Sequence, residues 1–80
     1  MSKKINFTTD EYRTKYFKHG NYMFHVYPYG KGEWTLSLYE YGIKQRTGYQ
    51  QIGFHFVMEL SRTPISLNEV RNEINKFITL

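Results

Sequence analysis

The chain has 80 residues, with 11 Lys plus Arg against 7 Asp plus Glu (net charge +4), no cysteine and 19% aromatic residues. That length bounds it to a single domain over residues 1–80 with a small core, and the absence of cysteine excludes both a disulfide framework and a thiolate zinc site. The modest positive charge permits a polyanionic partner without requiring one and disfavours a DNA mimic, which needs strong negative charge, and no apolar run approaches the roughly 20 residues that span a membrane.

In chain order, Met1 to Asp10 has no apolar leader segment. The expectation is therefore a cytoplasmic protein, with residues 1–6 flexible ahead of the fold. Thr8 and Glu11 then have the spacing of a capping box, and Phe7 and Tyr12 that of a hydrophobic staple. Tyr12 and Tyr16 share one helical face, and Gly20 is placed to end a helix. A strand competes for this segment, because Tyr12, Thr14 and Tyr16 alternate and His19-Gly20-Asn21 suits a hairpin turn. The coincidence of two cap signals favours the helix.

Three segments of period two come next: Tyr22-Phe24-Val26, Trp34-Leu36-Leu38 and Ile52-Phe54-Phe56-Met58. Each reads as a strand with one buried face. Pro28 to Gly32 and Gly42 to Gly48 read as the two connections. Setting Val26 opposite Trp34 and Tyr41 opposite Tyr49 gathers the large apolar residues on one side of the sheet.

The C-terminal element is the clearest. Ser66 and Glu69 form a capping box, and Pro64 ends the preceding strand. Leu67, Val70, Ile74 and Phe77 recur at helical spacing, which predicts a helix over 67–78.

The expected fold is two-layer α+β: a three-stranded antiparallel meander with N- and C-terminal helices (α-β-β-β-α) packed on one face. Phe24, Val26, Trp34, Leu36, Leu38, Phe54, Phe56, Val70, Ile74 and Phe77 are its expected core. The order of elements is similar to that of double-stranded-RNA-binding domains. Those domains open their last helix with a phosphate-contacting lysine pair, where this chain has Ser66-Leu67-Asn68-Glu69. No family is assigned.

Chemistry-bearing residues are sparse. His25 and His55 fall two strands apart in the expected registers, too far for a shared metal without distortion. Glu33 is the nearest carboxylate to His25 and Lys31 the nearest cation, an arrangement too unspecific for acid–base catalysis. Ser37 lies inside a strand, without the elbow motif of a nucleophilic serine. Gly30-Lys31-Gly32 is too short to cradle phosphate. The expectation is a non-enzymatic protein with no metal and no cofactor.

The face away from the expected core carries His25, Tyr27, Tyr39, Tyr41, His55 and Val57. Aromatic rings on an uncovered sheet face suit a protein interface. The expected function is a small binding or inhibitory protein that docks on a larger protein through this face. The Lys-, Asn-, Ile- and Tyr-rich composition suggests an AT-rich bacterial or phage genome, and with it an accessory protein of a bacterium, a phage or another mobile element. One alternative is nucleic-acid binding through Lys31, Lys44, Arg46 and Tyr49, centred on the basic and aromatic 41–49 hairpin. Another is a structural homo-oligomeric accessory protein, for example a homodimer paired through the same face or through the exposed edge of the first or third expected strand. No membrane partner is expected.

Overall fold

The computed structural model describes residues 5–79. It contains a five-stranded antiparallel sheet and one helix, in the order β1 (Thr8–Thr9), β2 (Lys15–His19), β3 (Tyr22–Gly30), β4 (Glu33–Arg46), β5 (Tyr49–Glu59) and α1 (Leu67–Ile78). Each strand lies beside its neighbour in sequence, so the sheet is a plain meander. Among the described residues, no helix is long and apolar enough to cross a membrane. Of the N-terminal stretch expected to be flexible, residues 1–4 lie outside the described residues, and Ile5 is buried.

The expected N-terminal helix is replaced by strands. Asp10 decides this locally. Its Oδ1 accepts hydrogen bonds from the amides of Tyr12 and Thr14, both at 2.9 Å. Its own amide donates to the Thr14 carbonyl at 3.0 Å. A carboxylate that takes nearby amides in this way stabilises a turn at the expense of a helical turn. Arg13 completes the reversal with φ 69°, a left-handed value that ends any helical path. Past the turn, β2 alternates productively: Phe17 faces Phe24 on the core side, and Tyr16 faces His25 on the other. Gly20 and Asn21 then make the hairpin turn into β3. With no first helix, the order shared with double-stranded-RNA-binding domains is lost.

The middle of the sheet keeps the expected parity with a shift of two residues. Phe24 pairs with Leu38 and Val26 with Leu36, so all four remain on one face. The β4–β5 pairing departs further. Gly42 to Arg46 is strand, not connection, and the reversal is the short Thr47-Gly48 turn, with Gly48 at φ 82°. Tyr41 therefore pairs with Phe54, and Tyr39 with Phe56. This register gains ladder hydrogen bonds along the residues otherwise left in a loop. It differs from the expected one by an odd number of residues, so it turns Ile52, Phe54 and Phe56 out of the core and onto the opposite face. Phe56 is 51% exposed and Ile52 61% exposed. A bulge places Val57 between the pairs Tyr39–Phe56 and Leu38–Met58.

The core is Ile5, Phe24, Val26, Leu36, Leu38, Val70 and Ile74, with Phe17, Trp34 and Phe77 packed at its margin. The helix reaches the sheet through a tethered link. Trp34 and Ile65 exchange backbone hydrogen bonds, both at 2.8 Å. The Leu36 amide donates to Ser61 Oγ at 2.8 Å. Ser66 caps the helix as expected, accepting from the Glu69 amide at 3.2 Å. Phe77 then sets its ring edge-on to Phe24 at 5.6 Å and to Tyr22 at 5.2 Å.

Candidate aromatic docking face

α1 packs on one side of the sheet, and the other side has no cover among the described residues. Strand alternation sends Tyr16, Met23, His25, Tyr27, Tyr39, Tyr41, Phe54 and Phe56 to this open side. The row Lys18, Met23, Tyr39, Phe56 crosses four strands in register.

His25 sits at the centre. Its ring stacks on Tyr39 with centroids 3.9 Å apart and meets Tyr16 edge-on at 4.7 Å. Nε2 lies 3.3 Å from Met23 Sδ, and Nδ1 lies 2.9 Å from Tyr27 Oη. A thioether can only accept, so in the neutral ring Nε2 carries the proton and Nδ1 accepts from the Tyr27 hydroxyl. Tyr39 Oη, 3.4 Å from Tyr27 Oη, extends the chain as the donor to Tyr27. Burial holds the His25 imidazole below its usual pKa. Burial also raises Tyr27, and its hydrogen bond with Tyr39 adds to the shift. Both rings are therefore neutral at pH 7.

Asp10 anchors the β2 border of the cluster. Tyr16 Oη donates to Asp10 Oδ2 at 2.8 Å. Burial works against the Asp10 charge, but the hydrogen bonds from Tyr16, Thr14 and Tyr12 outweigh it and hold the carboxyl below its usual range. The same bond, followed by burial, raises the Tyr16 phenol.

Towards β5 the face opens to solvent. Phe56 meets Tyr39 edge-on at 5.7 Å, and Phe54 meets Tyr41 edge-on at 5.3 Å. Lys18 Nζ lies 5.7 Å from the centre of the Phe54 ring, within cation–π range. Ile43 and Ile52, paired across β4 and β5, continue the apolar surface and are about equally exposed. This arrangement can receive an apolar or aromatic surface. Among the described residues, no three His, Cys, Asp or Glu side chains converge as metal ligands.

Of the residues singled out from sequence, His25, Tyr27, Tyr39 and Tyr41 come together on this face. His55 does not. It pairs with Glu40 and so points to the helix side, where Nε2 donates towards the carbonyls of Gly42 and Gln51, each at 3.2 Å. Val57 is the extra residue of the bulge, partly exposed at the margin. The basic set divides. Lys44, Arg46 and Tyr49 flank the β4–β5 turn, and Lys31 lies in the β3–β4 turn, about 40 Å away along β4. Arg46 Nε is bonded to Gln51 Oε1 at 3.2 Å.

Sequence reasoning missed Tyr16, Met23, Phe54, Phe56 and Ile52. The signal was present: Tyr41, Ile43 and Gln45 continue the alternation of β4, and Thr47-Gly48 is a sufficient turn. Compared with known proteins, the chain matches no family model, no curated protein and no solved structure.

Proposed function

We propose that this is a non-catalytic protein that docks on a partner protein through its open sheet face, with His25, Tyr27, Tyr39, Tyr41, Phe54 and Phe56 as the contact surface. The observation that carries the reading is the band of Phe56, Ile52, Ile43 and Tyr41, each at least half exposed and all on one side of the sheet. Contiguous apolar surface of this kind is costly to leave in water and marks interaction sites. The polar tips of the tyrosines fit an interface that is apolar at its centre and hydrogen-bonded at its rim. Such a protein would act by occlusion, as an inhibitor covering a working surface of a larger protein.

A specific feature favours a second reading. Beyond the Tyr22–Glu40 pair, β4 has β5 as its only strand neighbour among the described residues, so Gly42–Arg46 and Tyr49–Gly53 form a two-stranded ribbon carrying Lys44 and Arg46 and no acid. A ribbon of that width fits the major groove of DNA.

Affinity capture from native lysate, with and without nuclease, separates the two. A stoichiometric protein should survive nuclease, be retained by an Asn72→Ala control on the helix surface, and be lost from a Tyr39→Ala, Phe56→Ser double variant. Loss of all binding on nuclease treatment would overturn the docking reading. In that case affinity should fall with log salt at a slope of about 0.7–0.9 per phosphate neutralised.

A further inference from the structure

We propose that β5 is the seam of a homodimer, pairing antiparallel with β5 of a second copy to give one continuous sheet. The strand edge carries this dimer, independently of any docking on the open face. β5 is the last strand of the sheet, so one side of its backbone has no strand partner among the described residues. The other border is short: β1 is two residues, and Lys15 Nζ reaches across it to Thr9 Oγ1 at 3.1 Å. β5 is 11 residues long. Short length, lysine and proline are the usual protections of an exposed edge, and β5 has none of them; its bulge at Val57 leaves Tyr49–Phe56 free.

The direction of the free groups is set by hydrogen bonds across β4. The Tyr41 amide donates to Asn21 O at 2.7 Å, so Tyr41 bonds towards β3. Its partner Phe54 must then bond away from β4, and so must the alternate residues Ile52 and Phe56. Unpaired amides and carbonyls in a row are satisfied best by another strand.

The absence of charge along the run makes it self-compatible, which suits a second copy as that strand. Tyr49 to Met58 contains no Asp, Glu, Lys or Arg, in a chain of net charge +4. Two copies of this run can pair about a two-fold axis without opposing like charges. A register centred on Phe54 sets Phe54 against its counterpart and Ile52 against Phe56 of the second copy. Outward amides then meet outward carbonyls, and apolar side chains lie side by side. The axis stands perpendicular to the sheet, so both open faces lie on the same side and merge into one surface.

The test is the solution mass of the full chain by sedimentation at rising concentration. The wild type should dimerise. Ile52→Pro removes an outward amide that makes no bond to β4, and should raise the dimer dissociation constant on the order of tenfold or more. Amide exchange in the wild type gives a readout that needs no variant: Ile52, Phe54 and Phe56 should become more protected as concentration rises. A chain that stays monomeric at high micromolar concentration overturns the proposal. So does a dimer that survives Ile52→Pro with its folded circular dichroism intact, or one that dissociates only on Tyr41→Ala. Either result would place the contact on the open face or elsewhere.

Discussion

At the scale of single residues, His25 carries the most information. It is locked between Tyr16 and Tyr39 and hydrogen-bonded to Tyr27 as a neutral ring. Its folded pKa lies below the ordinary 6.5 because burial penalises the imidazolium. The unfolded chain therefore binds the proton first as pH falls. Stability is full above about pH 6.5 and declines from there until pH passes the lower folded value. Melting temperature followed from pH 7.5 to the weakly acidic range should show this decline, and His25→Gln should flatten it. An unchanged slope in the variant would show that another group titrates. Asp10 works in the opposite part of the scale. Its depressed pKa contributes stability that is present above 3.8 and lost as pH falls through the folded value.

At the scale of elements, the helix and the first hairpin obey the same chemistry with opposite results. Ser66 accepts the Glu69 amide and starts a helix; Asp10 accepts the Tyr12 and Thr14 amides and closes a turn. The difference lies in the residues beyond each acceptor. Leu67 to Ile78 offers an apolar stripe to the sheet, with Val70 and Ile74 fully buried. After Asp10 the chain offers Tyr16 and Phe17, which serve two faces at once when extended. Because the cap supports an element whose packing is already strong, Ser66→Ala should cost only about 1 kcal/mol, read as a shift in urea midpoint with unchanged slope. Gly53 marks a backbone irregularity in the β4–β5 ribbon. Its φ of 149° lies outside the ordinary strand range, opposite Gly42, at the place where the His55 ring reaches back over the backbone.

At the scale of the whole molecule, the sheet divides its labour by face. One side is a small core under one helix, and the other is an aromatic surface with hydrogen bonds of its own. The core is thin enough that each member counts. Leu36 and Ile74 are fully buried, and replacing either with Ala should cost about 2–4 kcal/mol, measured by denaturant unfolding. That is a large share of the roughly 5 kcal/mol expected at the lower end for domains of this kind. Near-native midpoints in both variants would contradict this packing. The open face should respond differently: Phe56, half exposed, should tolerate Ser with little loss of stability, and under the docking proposal the effect of the change should appear in binding.

Local pattern by itself determined the C-terminal helix, its cap, the strand character of the middle of the chain and the pairing parity of β3 with β4. Each of these rests on interactions a few residues apart or on one buried face that a slip would expose. It also marked His25, Tyr27, Tyr39 and Tyr41 as neighbours away from the core. Tertiary structure decided the rest. Thr8 to Tyr16 could be helix or strand, and the turn closed by Asp10 together with the pairing of β2 on β3 makes it strand. Tyr41 to Tyr49 could be loop or ribbon, and the odd register that results carried Ile52, Phe54 and Phe56 across the sheet. Period-two sequence shows which residues share a face, but not which face; that depends on where the turn closes, and here one short turn at Thr47-Gly48 moved the rings from the expected core to the open surface.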